Sequence, residues 1–113
     1  MSSRVLFVCS RNQWRSPTAE RVARRRSGVA TRSAGTAASA RRRVNRGDLA
    51  WADLVLVMED EHLRRLRADF PELIRDTATR CLQVPDDYGF MDPELVAIFE
   101  RALDDLLDAD GPA

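Results

Sequence analysis

A short run near the start of the chain combines a cysteine and an arginine at a spacing that suits chemistry on an anion. Cys9 follows the apolar run 4–8, and Arg15 comes six positions after it. A thiolate is a strong nucleophile, and the planar guanidinium of arginine pairs bidentately with phosphate-like oxygens. The sequence therefore predicts that residues 9–16 form an oxyanion-binding loop in which Cys9 attacks and Arg15 holds the anion.

The elements on either side of this loop are predicted to position it. Residues 4–8 read as a strand buried on both faces. Ser16 is expected to cap a helix that has Pro17 at its first position and continues to about Arg26, where Gly28 stops it. Ligands sit at the carboxyl ends of strands in such folds, and a helix start supplies free amides and a positive dipole end there. These amides, with a nest of turn amides, are expected to stabilise a thiolate.

Strands and helices alternate along the remainder of the chain. We expect a weaker strand, a small polar loop with room for one helical turn, a third buried strand, a polar helix, a second short helix, a fourth strand and a long amphipathic last helix. Their predicted bounds are 29–34, 35–47, 53–58, 59–69, 71–74, 81–84 and 92–108. This order predicts an α/β fold, a single domain over residues 1–113, with a four-stranded parallel sheet and helices on both faces.

Length and composition limit the class of protein. A chain of 113 residues with 44% hydrophobic content is sufficient for one modest core. No apolar run approaches the roughly 20 residues that span a membrane, and no signal peptide is visible. Two cysteines are too few for a disulfide framework, so we expect a cytoplasmic protein with free thiols.

Charge is balanced overall but divided along the chain. Residues 1–46 contain 12 Arg and one acid, whereas residues 47–113 contain 6 Arg and 17 acids, and there is no Lys. Composition bias explains this division most simply, and steering of an anionic ligand by the basic half is the alternative. The run Arg41 to Arg43 is expected to be a solvated face, and no nucleic-acid module accompanies it. We expect no nucleic-acid partner, no membrane, no metal and no cofactor; the sequence leaves the oligomeric state open.

The loop and its flanks resemble the low-molecular-weight protein tyrosine phosphatase family. The resemblance runs from Val5 to Asn12 and from Arg15 to Glu20 almost position by position. It continues through Arg32 to Thr36, through Asp53 to Met58 and at the sequence Val84-Pro85-Asp86. It implies a phosphatase that hydrolyses a phosphomonoester through a phosphocysteine formed on Cys9. The expected substrate is phosphotyrosine in a phosphorylated protein, or else a small phosphomonoester. The substrate-binding residues that it implies are Ser10, Arg11, Asn12, Gln13, Trp14 and Ser16.

The family pattern also implies a general acid, which falls on Asp86. This acid protonates the leaving oxygen and then acts as a base on water. The family usually has Pro after the acid, whereas Asp87 follows here, and a second Asp-Pro pair occurs at Asp92. Asp86 is preferred because it ends the strand directly and Tyr88 follows closely. Asp92 is expected to cap the last helix.

Three further features separate this chain from the pattern of that family. The segment between Gly35 and the third strand is short, which predicts a more open site on that side. Trp14 stands where many members have a second cysteine; it either stacks on an aromatic substrate or only shapes the wall. Arsenate reductases of the same fold use additional cysteines after the third strand, but here Cys81 is expected to lie in the core and His62 on the solvated surface. A thiol-dependent arsenate reductase and a noncatalytic phosphate-recognition module are the alternative functions.

Overall fold

The computed structural model describes residues 3–107, which form one parallel sheet of four strands with helices on both faces. The fold class predicted from the sequence is thereby confirmed. The strands lie in the order β2-β1-β3-β4, so the strand that leads into the predicted loop is central. The elements are β1 Ser3–Cys9, α1 Arg15–Arg24, β2 Val29–Gly35, α2 Arg46–Trp51, β3 Leu54–Val57, α3 Asp60–Asp69, α4 Pro71–Arg75, β4 Ala78–Cys81 and α5 Pro93–Leu107.

The central strand β1 is buried because both of its neighbours and both faces cover it. Its residues 5–8 are fully inaccessible to solvent. Phe7 pairs with Ser33 of β2 on one side and with Leu56 of β3 on the other. This environment explains the continuous apolar run, since a strand covered on both faces has no position that faces water.

Side chains alternate across the sheet and divide the core into two clusters. Phe7 and Cys9 point to the face covered by α1 and α5, where Phe99 is fully buried. Leu6 and Val8 point to the other face, which α2, α3 and α4 cover. Cys9 therefore emerges at the carboxyl end of the sheet on the face of α1, the helix whose first turn closes the loop.

Two element predictions were wrong in their bounds. The fourth strand occupies Ala78–Cys81 instead of 81–84, because Gln83 has a φ of 56° that interrupts the extended backbone. The loop predicted over 35–47 ends at Asn45, and the sequence did not predict the helix that follows it, α2. Its start is fixed by Asn45, whose side chain accepts from the amide of Asp48 while the Asp48 carboxylate accepts from the amide of Asn45.

The helix ends agree more closely with the sequence pattern. The last helix ends at Leu107 in the structure, and the predicted end at Asp108 lies outside the described residues. Asp92 caps this helix as predicted, since its carboxylate accepts from the amide of Glu94 at 2.9 Å. Within residues 3–107, no helix is long and apolar enough to cross a membrane.

Candidate active site

The loop between β1 and α1 is held from behind by the segment that follows β2. The amides of Thr36 and Ala37 donate to the carbonyls of Cys9 and Ser10, at 3.0 and 2.9 Å. Arg41 holds the next turn of the loop with its amide and its side chain. The amide donates to the Arg11 carbonyl at 3.0 Å, and Nε donates to the Asn12 carbonyl at 3.1 Å. Arg41 is exposed, as expected for a solvated face, and its bracing of the loop is a role that the sequence did not predict.

These backbone bonds determine which way the loop amides point. In a planar trans peptide the C=O and the following N–H point in opposite directions. Since four successive carbonyls are bound on the outside, the amides after them face the inside of the loop. The Asn12 amide shows this directly, because it donates to Cys9 Sγ at 3.3 Å. Asn12 has a left-handed backbone, with a φ of 56°, which asparagine adopts more readily than most residues.

A directional chain of hydrogen bonds ends at the Cys9 sulfur. The Glu20 carboxylate accepts from Ser33 Oγ at 2.6 Å, so that hydroxyl can only accept from Asn12 Nδ2, at 2.9 Å. Asn12 Nδ2 also donates to Ser16 Oγ at 2.9 Å. The Ser16 hydrogen is thereby left for Cys9 Sγ at 2.9 Å or for a backbone carbonyl at 3.4 Å. A thiolate is the stronger acceptor, so the chain is arranged to stabilise sulfur in its charged form.

Ser16 serves the sulfur instead of the helix. Ser16 was expected to cap α1, but the helix begins at Arg15, two residues earlier than predicted, and Trp14 at the cap position makes no side-chain capping bond. The Ser16 side chain is fully buried. Its hydroxyl is therefore committed to the Cys9 network, which explains why it does not cap the helix.

Arg15 is buried and is held on three sides. Its Nη1 donates to the carboxylate of Glu59 and to the carbonyl of Val84, the latter at 2.9 Å. Its Nε lies 3.6 Å from the Asp86 carboxylate. Only 3% of the Arg15 side chain is exposed, whereas 44% of Glu59 and 55% of Asp86 are. The guanidinium therefore has one orientation, and Nη2 has no protein partner within the described part of the chain.

The three candidate acids occupy different environments. Asp86 lines the same hollow as Cys9 and contacts Arg15. Asp87 is exposed and is not among the residues that line this hollow. Asp92 is engaged as the cap of α5. Of the three acids, only Asp86 lines the hollow that contains Cys9.

His62 is buried, and the prediction that it lies on the solvated surface was wrong. Its Nδ1 accepts from the amide of Glu59 at 3.0 Å, so the neutral ring carries its hydrogen on Nε2. Nε2 lies 2.9 Å from Ser10 Oγ and donates to it. Burial lowers the pKa of His62, and the positive charge of Arg15 lowers it further. Because Ser10 Oγ accepts from the neutral ring, its own hydrogen points away from the ring and can be donated to another group.

The loop encloses an open hollow of about 350 Å³. Asn12 and Ser16 are buried behind the hollow and brace it. Trp14 is 46% exposed and forms part of its wall. The residues that line the hollow are Cys9, Ser10, Arg11, Gln13, Trp14, Arg15 and Asp86.

Cys81 is not placed to exchange with Cys9. The register aligns Val8, Val57 and Cys81 at one level across three strands, so Cys81 lies two strand spacings from β1. Two spacings are about 10 Å, beyond the Cα separation of roughly 4.4–6.8 Å that a disulfide requires. Cys81 also packs on the opposite face of the sheet from Cys9. Cys81 is only partly buried and packs against the second core cluster, so the predicted core position holds in part. Desolvation raises the pKa of its thiol.

Several residues of the site were missed from the sequence. Glu59 comes two residues after the end of β3, and its place at the carboxyl end of a neighbouring parallel strand was the signal that could have identified it. Ser33 and Glu20 lie on different elements, and nothing in their spacing indicates that they meet. Among the described residues, no three His, Cys, Asp or Glu side chains are grouped as a metal site would require.

Sequence comparison finds a match to one protein family over the first part of the chain. Residues 4–48 match the profile of the family described as "Low molecular weight phosphotyrosine protein phosphatase". This stretch contains the loop, β2 and the segment that braces the loop. No functionally curated protein matches the chain in sequence.

Comparison of folds extends the likeness to nearly the whole chain. The low molecular weight protein tyrosine phosphatase of T. tengcongensis has 25% identity and a TM-score of 0.77, over 96% of this chain and 99% of that one. The tyrosine phosphatase Wzb from Escherichia coli K30, in complex with phosphate, has 24% identity and a TM-score of 0.78, over 98% and 100%. The YwlE arginine phosphatase from Geobacillus stearothermophilus has 24% identity and a TM-score of 0.71, over 95% and 94%.

Proposed function

We propose that this chain hydrolyses a phosphomonoester of tyrosine through a phosphocysteine, a proposal that is supported by the match of residues 4–48 to the family described as "Low molecular weight phosphotyrosine protein phosphatase". The observation that carries the proposal is the Cys9 sulfur. It accepts a hydrogen bond from the Asn12 amide and lies at hydrogen-bond distance from the Ser16 hydroxyl. The buried Arg15 of the same loop is held in place by Glu59.

In the first step Cys9 attacks phosphorus. A bond forms between sulfur and phosphorus, the bond from phosphorus to the tyrosine oxygen breaks, and Asp86 gives its proton to that oxygen. The inward amides and Arg15 hold the three remaining phosphoryl oxygens as their charge redistributes. Ser10 adds a donor, because His62 directs the hydroxyl hydrogen of Ser10 away from its own ring.

In the second step water replaces the sulfur. Asp86, now ionised, takes a proton from water as the oxygen attacks phosphorus, and the bond to sulfur breaks. Inorganic phosphate leaves and Cys9 returns as a thiolate, which the Ser16 hydroxyl stabilises at 2.9 Å. The exposure of Asp86 supports this role, because the carboxylate is open to the water that it must activate.

The shape of the site favours a flat leaving group. Trp14 stands half exposed on the wall, so an aromatic ring attached to the bound phosphate can pack against the indole. The named structural relatives act on tyrosine and, in the case of YwlE, on arginine. Phosphoarginine is therefore the comparison that tests the choice of substrate.

The experiment is a steady-state assay of the reduced protein with an aryl phosphate, a phosphotyrosine peptide and a phosphoarginine peptide. We expect turnover of the first two by the wild type, none by Cys9→Ser, and a large loss of kcat in Asp86→Asn. Asp87→Asn is the matched control, because it removes the adjacent charge. Failure of the reduced wild type to turn over any phosphorylated compound would overturn the proposal and leave a noncatalytic module, provided that phosphate still binds.

A further inference from the structure

A second hollow lies beside the candidate site and shares its wall. Gln13 and Trp14 line both hollows, so the two are adjacent at the mouth of the loop. The second hollow, called the side groove here, has a volume of about 530 Å³. Besides these two residues it is lined by Pro17, Glu20, Arg21, Arg24, Arg41 and Phe90. We propose that the side groove binds the acidic residues that flank the phosphorylated residue of a protein substrate.

The aromatic side chains of the side groove are unusually exposed. Trp14 and Phe90 are 46% and 48% exposed, and they are the only exposed large hydrophobic residues in the described part of the chain. Both belong to this one groove. Exposed aromatic side chains gathered at one place mark a contact surface, because their burial by a partner releases water from a large apolar area.

The position of Phe90 is built into the fold. The next residue, Met91, has a φ of 60°, a backbone conformation that residues other than glycine rarely adopt. Its amide donates to Thr18 Oγ1 on α1 at 2.9 Å. This bond fixes the turn against the helix and holds Phe90 over the groove, so the aromatic wall is present before any partner arrives.

The charge of the side groove is basic. Arg24 pairs with Glu20 at 3.1 Å, and Glu20 also accepts from Ser33, so this acid is already satisfied. Arg21 is exposed and Arg41 lies across the groove, and neither has a carboxylate partner within residues 3–107. Arg41 Nε donates to the Asn12 carbonyl, but its guanidinium, like that of Arg21, has no carboxylate beside it in the described part of the chain. Guanidinium groups of this kind on one surface attract carboxylates and orient them through paired hydrogen bonds.

Geometry links this surface to the chemistry. A phosphorylated side chain that reaches Cys9 passes Trp14, and the backbone that carries it must continue over one of the adjoining surfaces. The side groove is the basic and aromatic one at this mouth. This inference rests on the proposed function for the placement of the phosphate, but the charge and aromatic character of the groove are independent of whether turnover occurs.

Binding to the Cys9→Ser variant tests the inference without requiring turnover. Fluorescently labelled phosphotyrosine peptides with glutamate, serine or lysine flanks are titrated, and Kd is measured by fluorescence anisotropy. We expect the glutamate peptide to bind most tightly. In this background Arg21→Gln should weaken it by about two- to fivefold, the usual range for one exposed charge pair, and leave the serine peptide unchanged. Phe90→Ala should weaken all three peptides.

The control is Arg101→Gln, which removes the same charge from an exposed position of α5 that lines neither hollow. It should change none of the three affinities. Equal affinity for the glutamate and serine peptides, or equal effects of Arg21→Gln and Arg101→Gln, would overturn the inference. The inference would also be overturned if a single-stranded oligonucleotide displaced the labelled glutamate peptide as effectively as the unlabelled glutamate peptide does. Failure of turnover with retained glutamate preference would instead overturn the proposed function alone.

Discussion

Arg15 and Glu59 form an ion pair in which the arginine is buried and the acid is half exposed at the end of the neighbouring strand. The pair sets the plane of the guanidinium before a substrate arrives. Such preorganisation matters because a displacement of about 1 Å in a positioning group can cost about 100-fold in rate.

Glu59→Gln should therefore reduce kcat/KM for an aryl phosphate by between about 10- and 100-fold. The amide keeps a hydrogen-bond acceptor but removes the charge that holds Arg15. Glu72→Gln, an exposed acid at the start of α4, is the matched control and should leave kcat/KM unchanged. Equal kinetics of the two variants would show that Arg15 is oriented without Glu59.

Gly35→Ala should disturb the loop from behind. A methyl group at Gly35 would lie 2.5 Å from the Ser10 carbonyl oxygen and 2.6 Å from Ala40 Cβ. The carbonyl is part of the hydrogen-bonded loop, and Ala40 lies in the segment bonded to that loop, so neither can yield freely. We expect a loss of about 1–3 kcal/mol in the free energy of unfolding, the usual cost of overpacking, together with lower kcat. Urea denaturation and steady-state kinetics measure the two effects.

The control for this change is Gly89→Ala, where a methyl group would meet nothing within 4 Å. It should retain the stability of the wild type. If Gly35→Ala retained both stability and kcat, the close approach of the two segments would not be what shapes the loop.

The pH dependence of stability should report on His62. Its pKa in the folded state lies below the ordinary value of 6.5, because burial disfavours the charged ring. Between 6.5 and the lower folded value, the unfolded chain binds the proton and the folded chain does not. The free energy of unfolding therefore falls as pH falls through this window, with a limiting slope of about 1.4 kcal/mol per pH unit.

This contribution is measured by denaturing the wild type and His62→Gln at several pH values. The values lie between 5 and 7.5, roughly the range around the histidine transition. The variant should be less stable near neutral pH but should lose less stability on acidification. Parallel curves for the two proteins would mean that His62 does not titrate differently in the folded and unfolded chains. Ser10→Ala should keep the stability dependence of the wild type, because it leaves the buried ring in place.

Cys81→Ser should have little effect on phosphatase kinetics, even after mild oxidation. The two thiols lie on opposite faces of the sheet, two strand spacings apart, so no disulfide can protect or resolve Cys9 within one chain. Arsenate reduction with a thiol donor that is lost in Cys81→Ser would contradict this geometry and favour the reductase alternative.

The parts of the site that follow one another in the chain were predictable from the sequence, and those that meet only in space were not. The buried strand, the loop and the helix start place Cys9 and Arg15 by local geometry alone. His62 was misassigned because its helix is polar on most sides, and the contact of its ring with Ser10, after β1, is made only in space. The segment 36–41 has no periodicity, so its backbone bonds to the loop could not be inferred from residue types.

The measurement that tests the central claim most directly is isolation of the phosphocysteine. Asp86→Asn is mixed with an aryl phosphate and quenched rapidly, and the peptides are analysed by mass spectrometry. We expect one phosphoryl group on the peptide that contains Cys9, none on the peptide that contains Cys81, and none in Cys9→Ser. Release of the aryl product without any phosphoryl group on Cys9, or a phosphoryl group on another residue, would contradict the account.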